Sequence, residues 1–106
     1  MKQAHLRPLA ENDLVTRTRY YNKNSSPALG ERFFDAALAA LRPIQRMPGI
    51  GSPRIGELCG VPDLRDWPVP GFPVRWYYLE TDTHLDIIRL LADTQDLLSI
   101  LTNAPP

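Results

Sequence analysis

The chain holds a single cysteine, Cys59, among 106 residues. An intramolecular disulfide is therefore excluded, and a reducing compartment suits the sequence. No apolar run approaches the ~20 residues that a membrane-spanning helix needs. The opening residues, Met1-Lys2-Gln3-Ala4-His5, lack the apolar segment of a secretory signal, so a cytoplasmic protein is expected. Histidine is scarce as well. His5 and His84 lie far apart, and neither has a histidine or cysteine at ligand spacing, which argues against a metal centre. Gly49-Ile50-Gly51 completes neither a dinucleotide fingerprint nor a phosphate loop, and no cofactor is expected. Cys59 has no histidine near it in sequence and reads as a packed or exposed thiol rather than a nucleophile. Nor does one sign of charge dominate. Lys+Arg and Asp+Glu number 12 each, so net charge draws the chain neither to nucleic acid nor to membrane, while a local basic face stays open.

What is present is near the average of globular domains: 43% hydrophobic and 23% charged residues. Residues 1–106 are expected to form one domain with one modest core. The eleven prolines fall mostly between Pro43 and Pro73, which predicts a long irregular connection there. Residues 2–8 alternate weakly, with Ala4 and Leu6 against Gln3, His5 and Arg7, as a short first strand would. From Leu9 the period becomes helical, with Leu14, Thr18 and Tyr21 on one stripe. A polar turn at Asn22-Lys23-Asn24-Ser25-Ser26 ends that helix. Ser26-Pro27 is a capped helix start, and Phe33, Ala37, Ala40, Leu41 and Ile44 then share a face. Together residues 9–46 read as a helical hairpin, with Pro43 kinking or ending its second helix near Leu41. Residues 54–62 carry apolar side chains in no clear register. Near the end, Asp93 or Thr94 is a possible cap for a short helix whose Leu97, Leu98 and Leu101 face inward. Asn103-Ala104-Pro105-Pro106 reads as a frayed end.

The strongest signal is three strand-like runs: Leu64 to Val69, Val74 to Leu79 and His84 to Leu91. Gly, Pro and Asp break them, as in consecutive antiparallel strands joined by hairpins. A small antiparallel sheet with helices gathered on one face is an α+β two-layer architecture. Each run holds an arginine, Arg65, Arg75 or Arg89, and a buried unpaired arginine is costly, so a wet face or an edge is expected for them. Along Val74 to Leu79, Val74, Trp76 and Tyr78 share one face, and Arg75, Tyr77 and Leu79 share the other. If Arg65 faces the same way as Arg75, two guanidinium groups join Trp67 and Tyr77 in a patch that suits phosphates and bases. Pairing of the arginines with Asp66, Glu80 or Asp86 is the alternative, with no role beyond solubility. On exposed arginines, Arg65→Ala and Arg75→Ala should weaken function with little loss of folding. Phe33 and Phe34 are adjacent and cannot both face one core, so one of them is expected to be exposed or to bind a partner, while the stripe as a whole reads as core packing.

The order and residues resemble the RelE/ParE toxin superfamily, and its ParE-like branch in particular. The resemblance spans nearly the whole chain. It rests on Ala10-Glu11-Asn12-Asp13-Leu14 leading to Tyr20-Tyr21, on Ser26-Pro27-Ala28, and on Leu64-Arg65-Asp66-Trp67-Pro68-Val69. Gly71-Phe72-Pro73-Val74-Arg75-Trp76-Tyr77-Tyr78 and Leu85-Asp86-Ile87-Ile88-Arg89-Leu90-Leu91 are its most telling pieces. It implies a plasmid-stabilisation-type toxin of a type II toxin–antitoxin pair, neutralised by a small antitoxin with a DNA-binding domain and a flexible C-terminal tail. Leu14, Tyr21, Phe33, Phe34 and Leu38 become the expected antitoxin contacts. Arg65, Trp67, Arg75, Tyr77 and Arg89 become the expected target contacts, DNA gyrase being the target that ParE-like members suggest. RelE-like members instead cut mRNA on the ribosome, and Arg65, Arg75 and Tyr77 are the residues such a reading would use. Many members carry a histidine and an arginine after the last strand, where this chain has Ala92 and Gln95. That departure weakens the ribonuclease reading, because cleavage needs groups that move protons. It also admits an attenuated module that binds antitoxin without toxicity.

Overall fold

A computed structural model describes residues 1–102. Its elements are β1 (Gln3–Leu6), α1 (Pro8–Asn24), α2 (Pro27–Ala39), α3 (Leu41–Arg46), α4 (Arg54–Cys59), β2 (Arg65–Pro68), β3 (Val74–Glu80), β4 (His84–Ala92) and α5 (Leu97–Thr102), with a 3-10 turn at Pro48–Ile50. The expected frayed end, residues 103–106, lies outside the described residues.

The α+β two-layer architecture is present. The α1–α2 hairpin covers one face of a four-stranded sheet ordered β1-β4-β3-β2. Pro8 sits in the first turn of α1, and the Ser26 side chain caps α2 by accepting from the Leu29 N–H at 3.1 Å. Helix α2 stops at Ala39, two residues before Leu41, near which Pro43 was expected to kink or end it, and α3 resumes at Leu41. The helices approach closely at Gly30, where an added Cβ would lie 3.0 Å from the Thr18 carbonyl oxygen and closer still to the Asn22 side chain. Three details depart from expectation. First, β1 runs parallel to β4, pairing Gln3 with His84 through Leu6 with Ile87. A strand that leaves through a helical crossover re-enters in its own direction, so the sheet is mixed rather than wholly antiparallel. Second, residues 54–59 form a helix in the irregular connection. Third, Asp96 rather than Asp93 or Thr94 caps α5, its Oδ1 accepting from the Ser99 N–H, and Leu98 is 58% exposed while Leu101 is buried.

The sheet separates two apolar clusters. Under α1 and α2 lie Ala10, Leu14, Phe33, Ala37, Val74, Trp76, Tyr78, Leu85, Ile87 and Leu90. On the opposite face, under α4 and α5, lie Leu64, Tyr77, Ile88, Leu91 and Leu101. A bulge between the pairs Tyr77–Arg89 and Tyr78–Ile87 adds a residue to β4 and turns its end. Past Ile87, β4 no longer has β1 beside it. There Asp13 of α1 takes over, accepting from the Leu90 N–H at 3.0 Å and from Arg89 at 2.7 and 2.9 Å. No helix of the described residues is long and apolar enough to cross a membrane.

Candidate functional site

Strand pairing decides which side chains meet. In the β2–β3 ladder Arg65 lies opposite Tyr78 and Trp67 opposite Trp76, while Asp66 lies opposite Tyr77 and Pro68 opposite Arg75. Directly paired residues share a face. Arg65 and Trp67 are therefore on the helix-covered side, and Arg75 and Tyr77 are on the other. The expected single patch of two arginines and two aromatics does not exist. Arg65 donates Nη1 to the Gly51 carbonyl at 2.8 Å and Trp67 packs against the main core. Arg89 is also not on a free face, because its guanidinium donates through Nε and Nη2 to the two oxygens of the Asp13 carboxylate.

Arg75 and Tyr77 do come together, in a groove of about 440 Å³ between the sheet and the two short helices α4 and α5. Ser52, Arg54, Ile55, Leu58, Asp66, Asp93 and Leu97 complete its lining. Asp66, only 3% exposed, forms its floor. Its Oδ1 accepts from Arg75 Nη1 at 2.8 Å, and Arg75 Nε lies 3.7 Å from Asp93 Oδ1. The second oxygen, Asp66 Oδ2, is buried without a partner among the described residues, and so is the Tyr77 hydroxyl. Burial pushes the Asp66 carboxyl above its ordinary value, although Arg75 pulls it back. Burial, reinforced by the Asp66 charge, raises the Tyr77 phenol far above the ordinary range, so it stays neutral and keeps its proton.

Chemically, this arrangement offers a buried acceptor, a phenol that both donates and accepts, and one guanidinium already committed to a carboxylate. Among the described residues, no histidine lines the groove. The Ala92 and Gln95 departures have a structural use, since the Gln95 side-chain oxygen accepts from the Ala92 N–H at 2.7 Å and ties the turn after β4. Among the described residues, no group of three or more His, Cys, Asp or Glu is placed to hold a metal ion.

The expected antitoxin contacts divide by burial. Leu14 and Phe33 belong to the core, which leaves them no surface for a partner. Their apolar stripe is spent covering the sheet. Phe34 and Leu38, one turn apart on α2, are 38% and 41% exposed. Tyr21 is half-buried, edge-on to Phe72 and tilted on Phe33.

No protein-family model matches the sequence, and no curated protein matches it significantly. Among solved structures, the chain is similar to one from the chromosomal ParDE TA (toxin–antitoxin) system of P. aeruginosa, with a TM-score of 0.75 and 18% identity. The likeness covers 87% of this chain and 96% of that one. It establishes the fold.

Of the groove residues, the sequence points to Arg75 and Tyr77 as site residues and to Asp66 as a pairing partner of the arginines, and the Arg75–Asp66 pair bears out the last. The signal for Asp66 is its place in a strand run, a carboxylate between Arg65 and Trp67. Leu97 is expected to face inward and does pack against the second cluster, whereas Ile55 and Leu58 fall in a stretch with no clear register because α4 spans only six residues. The two histidines, remote in sequence, stack with ring centroids 4.4 Å apart across the β1–β4 pair.

Proposed function

We propose that this chain is the toxin component of a type II toxin–antitoxin pair, a ParE-like single-domain protein of the cytoplasm that acts by contact with another protein. A small cognate antitoxin neutralises it, and DNA gyrase is the target that the family resemblance suggests. The fold likeness to a ParDE chain over nearly all of both chains supports the pairing. The observation that carries protein contact over mRNA cleavage is the split of Arg65 from Arg75 and Tyr77 by the β2–β3 register. Cleavage requires groups that activate a 2′-hydroxyl, neutralise phosphate and protonate a leaving oxygen at one point. Here Arg75 is tied to Asp66, Tyr77 is a buried neutral phenol, and Arg65 is on the far face. On the hairpin, the exposed pair Phe34 and Leu38 gives an antitoxin tail its apolar foothold.

Expression of the chain alone in bacterial cells, followed by a gyrase supercoiling assay with purified protein, tests this. Growth arrest with inhibited supercoiling is the expected result. Ribosome-dependent mRNA cleavage alongside normal supercoiling would overturn the gyrase reading in favour of a RelE-like endoribonuclease. Normal growth at high expression would leave an attenuated antitoxin-binding module. A small open reading frame beside the gene, encoding a DNA-binding domain and an amphipathic tail, is the expected partner.

A further inference from the structure

We infer that the groove under α4 and α5 is a recognition site for an uncharged carboxamide, an asparagine or glutamine side chain carried on a partner polypeptide with apolar neighbours. The inference rests on the proposal that the chain works through protein contact, and adds which chemical group its groove reads. Buried polar side chains are almost always partnered. Asp66 Oδ2 and the Tyr77 hydroxyl are two exceptions, and they sit on cross-strand paired residues that line one groove. An unmade hydrogen bond at a buried site is destabilising, and such exceptions concentrate where a ligand completes them.

The two orphans select the ligand. A carboxylate oxygen only accepts, so the incoming group must donate to Asp66 Oδ2. The phenol has a proton to give, so the same group must also accept from Tyr77. A carboxamide offers an N–H and a carbonyl oxygen in one plane and meets both needs. An ammonium or guanidinium only donates and leaves the phenol proton unused. A carboxylate only accepts and repels Asp66. Charge points the same way, because the lining residues Arg54 and Arg75 balance Asp66 and Asp93. That balance gives no net attraction for a cation or for the phosphates of a nucleic acid. Apolar walls from Ile55, Leu58 and Leu97 suit aliphatic neighbours of the carboxamide, and Leu58 is 68% exposed. Neither orphan atom is open to bulk water, so the ligand reaches them by shifting the short helices α4 and α5 or the Arg75 side chain.

The test titrates the full chain, labelled with nitrogen-15, with capped Leu-Gln-Leu, Leu-Glu-Leu and Leu-Arg-Leu peptides and with guanosine monophosphate. The glutamine peptide should shift the signals of Asp66, Arg75 and Tyr77, and bind at least about tenfold more tightly than the others, the scale of one hydrogen bond. Tyr77→Phe should weaken it by about tenfold at an unchanged melting temperature, since that hydroxyl has no partner among the described residues. Equal or tighter binding of the arginine peptide or the nucleotide overturns the inference, and so does silence from every probe. Loss of binding together with a lowered melting temperature in Tyr77→Phe also overturns it, because the hydroxyl would then be structural. Growth arrest by a chain that ignores all the probes removes this inference and leaves the toxin proposal standing.

Discussion

Tyr77 and Tyr78 are neighbours in one strand, both fully buried, and their hydroxyls have opposite fates. Tyr78, on the helix-covered face, donates to the Pro48 carbonyl at 2.7 Å and accepts from the Gly51 N–H at 3.0 Å. Trp76 on that face is equally settled, giving its Nε1–H to the Ala37 carbonyl at 2.8 Å. On the other face, Tyr77 and half of the Asp66 carboxylate have nothing. The same sheet thus carries a side whose large polar side chains are satisfied and a side where they are not. The first is how a core is built, and the second is how a binding site is left open.

Substitutions on the two faces should therefore differ in kind. Trp76→Ala removes the largest buried side chain and orphans the Ala37 carbonyl; urea unfolding should show a loss of about 3–5 kcal/mol. Tyr78→Phe strips a buried and a half-buried backbone group of their partner and should cost about 2 kcal/mol, whereas Tyr77→Phe should leave the unfolding midpoint where it was. Equal losses in the two variants would erase the distinction between the faces. Arg75→Ala should cost about 1–2 kcal/mol, below the figure for a fully buried pair because the Arg75 side chain is 38% exposed. This reverses the expectation that the arginine is dispensable for folding, since the buried Asp66 carboxylate depends on it.

A smaller effect follows pH. Burial holds the folded-state pKa of Asp66 above the 3.8 of the free group, so the folded chain binds that proton more tightly than the unfolded one. Stability from Asp66 is then greatest below the unfolded value and is lost as pH rises through the folded one. Relative to Asp66→Asn, the unsubstituted protein should gain stability on acidification toward about pH 4. Arg75→Ala should move that window upward, because the guanidinium that lowers the pKa is gone. Smallest of all, Phe34→Ser and Leu38→Ser should stay within about 0.5 kcal/mol of the original stability. Their expected effect is on antitoxin affinity, measured by calorimetry with the cognate partner.

Much of the fold was legible because its signals are local. The alternation of Val74, Trp76 and Tyr78 against Arg75, Tyr77 and Leu79 needs only the period of a strand, and Ser26-Pro27 announces α2 by itself. The adjacent Phe33 and Phe34 had to separate, and one is buried while the other is exposed. The site was less legible because it depends on register. Whether Arg65 joins Arg75 is set by which residue of a four-residue strand faces which, and the turn through Val69 and Phe72 decides that rather than composition. Helix α4 was invisible for a related reason. Its Gly56 looks like a breaker, yet an added Cβ there would sit 2.4 Å from the Leu64 carbonyl oxygen. The residue is small because β2 passes so close. Asp93, one of the two expected caps of α5, does not cap it. Asp93 is occupied elsewhere, its N–H bound to the Pro73 carbonyl and its carboxylate near Arg75, which leaves the cap to Asp96.

The parallel pairing of β1 with β4 bears on how the chain is made. Synthesis runs from the N-terminus, so β1, α1 and α2 leave the ribosome well before the strands that cover Leu14, Phe33 and Ala37. Until then the hairpin carries its apolar stripe uncovered, and the first strand has no neighbour. The arrival of β4 supplies both at once, docking β1 on one side and β3 on the other. A chain stalled before β4 is complete would hold β1 without its partner strand and the hairpin only partly covered by β3, exposed to aggregation and proteolysis for as long as the stall lasts.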